Sequence, residues 1–232
     1  METTVISSQP IIYPSSDGKP IADNTKQFDL ITLIKENLAC HFSNDPSVFV
    51  AGDLLWYPVE GNTKICRAPD VMIAFGSKKR DRKSYIQHQE NGIAPQVVFE
   101  IISDSNRQHP IEMLRKFSFY QRFGVEEYYV YDPDLIELEV FIRKGDYFLE
   151  LDPMIFPFKS PLLQITFDII EEQLSIMYPG GELFKRVGDL KSELNETKLV
   201  LNEAKSALDN EREKAEKLAD KLREMGINRE QI

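Results

Sequence analysis

Glu100 is the residue hardest to reconcile with an inert fold. It stands in QVVFEIIS between Val98, Phe99, Ile101 and Ile102, and a strand apolar on both faces belongs in the middle of a sheet. An ionised carboxylate there is costly unless a cation, a proton or a set of donors compensates it. Glu100 either ends its strand in solvent or beside a local Arg or Lys, or it is a functional acid. Asp70 follows Pro69 in RAPDVMIAFG, where it is a turn former or a carboxylate aimed at the sheet edge. Asp53, within VFVAGDLLWYP, is a third acid in an apolar strand. Carboxylates on neighbouring strands repel one another, and a bound divalent cation relieves that repulsion.

Lys116 and Tyr120 follow on a segment of helical pattern, one turn apart on one face. Lys116 either pairs with Glu112 four residues earlier or brings an ammonium to the carboxylates. Tyr120 packs on the sheet or supports the site. Ser103 opens a polar turn, SDSN, that can cap the next helix, and it is close enough to Glu100 to help orient it. The run KKRDRK places Lys78, Lys79, Arg80, Arg82 and Lys83 around Asp81. It is a solvated loop or a place to hold a phosphate backbone. His41, His88 and His109 have no zinc-like spacing. With neither a phosphate-cradling glycine loop nor a nucleophile elbow, the sequence argues against nucleotide-driven and serine-hydrolase chemistry.

Positioning these residues requires a mixed domain. Phe28, Leu30, Ile31, Leu33, Ile34 and Leu38 recur at helical spacing. Strand-like runs follow in SVFVAGDLLWYP, KICRAPDVMIAFG and PQVVFEIIS. A helix is predicted from Pro110 to Phe123, stopped by Gly124, then a strand in EEYYVYDP and a hairpin in LEVFIRKGDYFLEL with Lys144, Gly145 and Asp146 at its tip. The order predicts an α/β domain of the α+β type over 28–180, preceded by a loose arm over 1–27. Beyond Pro179, Gly180 and Gly181, Val187, Leu194, Leu201, Leu208, Ala215 and Leu222 recur every seven residues, with Leu190, Thr197, Ala204, Leu218 and Met225 between them and Glu211 as the one violation. That pattern predicts a coiled coil over 182–226 that pairs two chains, against a single solvated helix.

The 232 residues carry a net charge of −10, and because the stretch 185–224 balances ten Lys or Arg against ten Asp or Glu, the excess falls on residues 1–184. An acidic body binds DNA poorly unless local basic patches or cations help. The sequence offers neither a membrane-spanning run nor a secretory leader, so the expected location is the cytoplasm. Cys40 and Cys66 cannot form a disulfide framework and are expected to be small buried residues.

In order, GDLLWYP, APDVMIAFG, PQVVFEIISDSNR, a helix bearing RKFSFY, and GVEEYYVYDP form a series that resembles the Uma-two family of restriction endonucleases, a branch of the PD-(D/E)XK nuclease superfamily. The likeness spans roughly 28–175. It implies an αβββαβ restriction-endonuclease-like core with a mixed central sheet, Mg²⁺- or Mn²⁺-dependent hydrolysis of DNA phosphodiesters, and a metal held by Asp70, Glu100 and the Ile101 carbonyl. Ile102 occupies the place of the expected Lys, and the resemblance moves that role to Lys116, with Asp53, Ser103 and Tyr120 in support. A different expectation is a catalytically idle nuclease-fold homodimer that serves as a binding module through its coil.

Overall fold

The computed structural model describes residues 11–18, 20–152 and 156–225. The expected arm therefore falls partly outside the described residues, at 1–10 and 19, as does position 226 of the expected coil. The chain divides into two units, 1–184 and 185–232.

In the first unit, α1 (Thr25–His41) starts at Asn24, whose side chain accepts from the Gln27 N–H. Its Ile31, Ile34 and Leu38 are buried. Then come β1 (Val48–Gly52), β2 (Trp56–Tyr57), β3 (Val71–Phe75), β4 (Tyr85–Ile86) and, after a short 3-10 turn, β5 (Val97–Ile101). A five-residue helix α2 (Asp104–Gln108) leads into α3 (Pro110–Phe123), which has proline at its first turn and ends at Gly124, φ 96°. The chain continues with β6 (Glu127–Asp132), β7 (Glu137–Lys144), β8 (Tyr147–Glu150), β9 (Phe158–Lys159), β10 (Thr166–Ile170) and β11 (Gln173–Met177).

Six strands form one sheet in the order β1-β3-β5-β6-β7-β8, with β5 and β6 parallel and the other pairs antiparallel. The parallel pair is joined by α3, as a crossover between parallel strands requires. β5 and β6 are buried along their whole length, as sheet centres are. Period-2 alternation sorts their side chains into two cores. Val71, Ile73, Val97, Phe99 and Ile101 pack with Ile31, Ile34 and Leu38 of α1 and with Phe167 and Ile176 of a small β9-β10-β11 sheet. Met72, Ala74, Val98 and Tyr128 pack on the opposite side with Trp56 and with Phe119 and Tyr120 of α3. Helix, three main strands, helix and strand around a mixed sheet make the expected αβββαβ core.

Four local expectations need correction. Asp53 is not within a strand. β1 ends at Gly52, and Asp53 turns the chain in the left-handed region at φ 47°. The first helix starts three residues earlier than its apolar spacing shows, because the Asn24 cap rather than a hydrophobic residue sets its beginning. The described part of the arm is tied down, with the Tyr57 hydroxyl donating to the Pro14 carbonyl at 3.0 Å and the Gly61 N–H to the Tyr13 hydroxyl at 2.8 Å. Cys40 is exposed, since its position on α1 faces away from the Ile34 and Leu38 stripe.

The second unit contains α4 (Val187–Glu224), 38 residues long, a rod of about 57 Å at ~1.5 Å per residue. None of its described residues is buried, and Val187, Leu194, Leu201 and Leu208 are each at least half exposed. Among the described residues, no helix is long and apolar enough to cross a membrane.

Candidate active site

The sheet opens where the acidic residues sit. β3 and β5 pair antiparallel at Ile73↔Val97, Met72↔Val98 and Val71↔Phe99, and the next position in that register would set Asp70 against Glu100. The backbone ladder stops there. The Ile101 N–H donates to Asp70 Oδ2 at 2.7 Å instead, so a carboxylate takes the place of a ladder carbonyl. Asp70 and Glu100 continue the face that carries Met72 and Val98, and both are directed to the α3 side.

Glu100 is 2% exposed and both its carboxylate oxygens are taken. Lys116 Nζ lies 2.5 Å from Oε2, and the Tyr120 hydroxyl donates to Oε1 at 2.6 Å. The two donors stand four residues apart on α3, which puts them on one helix face over β5. Tyr120 is fully buried, its ring stacked parallel to Trp56 at 6.4 Å between centroids. Lys116 therefore pairs with Glu100, while Glu112 lies 3.1 Å from Arg115 and 3.5 Å from Arg67.

Charge is unbalanced at this point. Burial pushes the Asp70 carboxyl well above its usual range, and the negative Glu100 pushes it further, with Lys116 and the Ile101 N–H opposing. Asp53 is raised by partial desolvation and then by Asp17 and Glu100. Burial alone would lower the Lys116 ammonium, but Glu100 and Asp70 more than reverse this, so it is held charged. Burial and then the Glu100 charge push Tyr120 well up, which keeps it a hydrogen-bond donor. Asp53, Asp70 and Glu100 thus share the field of one ammonium.

A cavity of about 400 Å³ opens beside them, lined by Asp53, Asp70 and Lys116 together with Asp23, Arg67 and Glu112. Hard oxygen donors of this kind suit Mg²⁺ or Mn²⁺. Among the described residues no group of three or more His, Cys, Asp or Glu is arranged to hold a metal, so this is not an all-protein cage. A Mg²⁺ site that uses one or two carboxylates and keeps several waters asks for less than a cage, and of the two carboxylates Asp70 lines the cavity while Glu100 does not. The Ile101 carbonyl, expected among the ligands, accepts from Gln27 Nε2 at 2.8 Å, because α1 packs against this strand end.

Two other expectations place residues elsewhere. The Ser103 hydroxyl does not serve Glu100. It caps α2 by accepting from the Asn106 N–H, and its one proton goes to Asp23 Oδ2 at 2.5 Å, with Asn106 Oδ1 2.8 Å away. The basic run is largely consumed inside the protein. Arg82, 4% exposed, lies 2.8 Å from the buried Glu90 and 3.9 Å from the Phe49 ring centroid, Arg80 reaches Glu90 at 2.5 Å, and Lys79 donates to the Phe42 and Ser43 carbonyls. Lys78 and Lys83 stay exposed, and none of the five lines the cavity. Arg67 and Gln27, which do line it, were not singled out from sequence. The cue for Arg67 was its place three residues before Asp70 in CRAPD.

Because the folded Asp70 carboxyl holds its proton more tightly than the unfolded chain does, this residue's effect on stability worsens as pH rises above about 3.8 toward its folded pKa. Asp70→Asn keeps an oxygen for the Ile101 N–H and removes the like charge. In metal-free buffer at pH 7 it should stabilise the fold by on the order of 1 kcal/mol, the common sign of a site built against stability, with a smaller gain at pH 4. Urea unfolding at both pH values checks this; a clear loss of stability at pH 7 would contradict it.

The family model described as "Putative restriction endonuclease", Uma2, matches residues 11–157. No curated protein matches the chain. Among solved structures, the chain is similar to one described as a "putative nuclease belonging to DUF820" from Anabaena variabilis ATCC 29413, at 12% identity and a TM-score of 0.47, over 61% of this chain and 75% of that one. With the family model covering more than half of its length, the chain belongs to the Uma2 family.

Proposed function

We propose that this protein is a divalent-metal-dependent DNA endonuclease. The observation that carries this is the opening between β3 and β5, where Asp70 and Glu100 come to one sheet face with Lys116 2.5 Å from Glu100. Asp70 and Glu100 would hold Mg²⁺ or Mn²⁺, which when bound lowers the pKa of a water and offsets charge on the phosphate. The chain's own contributions follow from the geometry. Tyr120 fixes the Glu100 carboxylate through Oε1. Lys116, 17% exposed and on the cavity wall, presents a held positive charge where a phosphate would develop negative charge. Ile102, buried where the superfamily pattern places a lysine, can do neither. Asp53 adds to the negative field that favours a cation.

The exposed heptad stripe of α4 supports a homodimer through Val187, Leu194, Leu201 and Leu208, since an isolated helix of this polarity lacks packing to hold it. A DNA-directed activity and two free cysteines suit the cytoplasm. One observation favours the idle binding module as a second reading. Both Glu100 oxygens are already satisfied by Lys116 and Tyr120 in a body of excess negative charge.

Incubating duplex and single-stranded DNA with the full chain and Mg²⁺ or Mn²⁺ separates the two. Cleavage is expected, abolished in Glu100→Gln and slowed on the order of 10²–10³-fold in Lys116→Ala, the usual loss of one charge-stabilising group, with Mn²⁺ binding by the Lys116 variant retained. Wild-type chain that cuts neither substrate with either ion would leave the binding module.

For the dimer, sedimentation at micromolar concentration should give twice the chain mass, falling to one chain mass when residues after 184 are removed. A monomeric full-length chain would refute the pairing.

A further inference from the structure

Next to the cavity, a groove of about 390 Å³ runs along α3. Its charged lining is Arg67, Arg115 and Arg122, without a carboxylate, although residues 1–184 carry the chain's entire excess of ten negative charges. Apart from Ser118, the remainder is apolar or aromatic, with Leu114, Phe119 and Phe123 prominent. Glu112, which does not line the groove, lies 3.1 Å from Arg115 and 3.5 Å from Arg67, so three guanidinium charges against this one carboxylate leave the groove net positive in a negative body.

Arg67 lines both the groove and the cavity that contains Asp70 and Lys116. Its guanidinium lies over the Phe119 ring at 5.6 Å, with Nη1 donating to the Cys66 carbonyl at 2.8 Å and Nη2 3.5 Å from Glu112. Its Nε is buried and has no hydrogen-bond partner among the described residues. A buried donor left open is costly, and an anion that reaches the junction of groove and cavity would satisfy it. Arg115 and Arg122 are exposed and seven residues apart on α3, about 10.5 Å along the axis at ~1.5 Å per residue. That is the rise of about three nucleotides of one strand at ~3.4 Å each. Guanidinium forks match phosphate oxygens in pairs, and aromatic floors tolerate any base.

We propose that this groove is the track for the nucleic-acid backbone, with Arg115 and Arg122 holding phosphates along α3 and Arg67 receiving the phosphate that enters the cavity. The inference rests on the nuclease reading and names the surface it uses. It also moves the phosphate contacts away from the 78–83 loop, whose Arg80 and Arg82 are committed to Glu90.

The test is fluorescence anisotropy of a labelled 20-nucleotide DNA, duplex and single-stranded, titrated with the full chain in Ca²⁺ across a salt series. Arg115→Ala/Arg122→Ala, both exposed and so compatible with folding, should lower duplex affinity at least tenfold. The salt dependence of log K should fall by nearly two, at about 0.9 for each phosphate no longer held. Arg67→Ala should weaken binding too, and circular dichroism should show all variants folded. If the wild-type chain binds DNA and the double variant binds equally well, the track is wrong while the nuclease reading stands. The track is wrong in the same way if Lys78→Ala/Lys83→Ala takes the affinity instead. If Ile111→Ser/Leu114→Ser changes oligomer mass and the arginine variants leave DNA binding intact, the face is a protein interface and the proposal falls. Wild-type chain that neither binds nor cuts DNA overturns both proposals together.

Discussion

A carboxylate buried at the centre of a sheet needs a partner, and the arrangement of this domain is organised around supplying Glu100 with two. Lys116 takes one oxygen and Tyr120 the other. For both to reach β5 they must lie on one face of a single helix, and that helix must cross the sheet on the Glu100 side. The parallel β5-α3-β6 connection meets these needs. Removing one partner of such a pair leaves a buried charge uncompensated, which is far more costly than losing a surface ion pair. The aromatic packing around Tyr120, with Trp56 and Phe119 against its ring, holds the donor in place.

The second dependence is the early end of the β3-β5 ladder. Continuous pairing would have set the Asp70 carboxylate opposite the buried Glu100 with nothing between them. Terminating at Val71↔Phe99 opens a gap, and the Asp70 side chain satisfies the Ile101 N–H that the gap exposes. The resulting site remains over-supplied with negative charge, since Asp53, Asp70 and Glu100 act on one another while Lys116 is the ammonium among them. Functional sites are where perturbed carboxylates of this kind cluster, as structural ion-pair networks also do.

Much of this is legible in the chain because hydrophobic patterning and punctuation agree with the tertiary result. The QVVFEIIS run is buried on both sides as its composition demands, and Pro110 and Gly124 bound α3 as their backbone preferences require. Other parts leave no local mark. The β10-β11 hairpin turns on Glu171 and Glu172, with φ of 50° and 58°, where Asn-Gly would have announced it. α2 is announced by its Ser103 cap, but its anchoring is not, with Arg107 meeting Asp132 at 2.7 Å and Asp134 at 2.5 Å. The KKRDRK run looked available because its partner, Glu90, comes eight residues after Arg82, behind a turn that gives no helical or strand spacing. The choice between Glu112 and Glu100 for Lys116 was likewise beyond the sequence. It depends on which face of α3 meets the sheet.

The central claim is that Asp70 and Glu100 form one divalent-cation site and that Lys116 and Tyr120 hold Glu100 for it. Calorimetric titration of Mn²⁺ into the full chain tests this most directly, because it reads the site without requiring a substrate. The account predicts one Mn²⁺ per chain, with affinity reduced at least tenfold by Glu100→Gln. Absence of binding at millimolar Mn²⁺, or equal binding by wild type and Glu100→Gln, would contradict it.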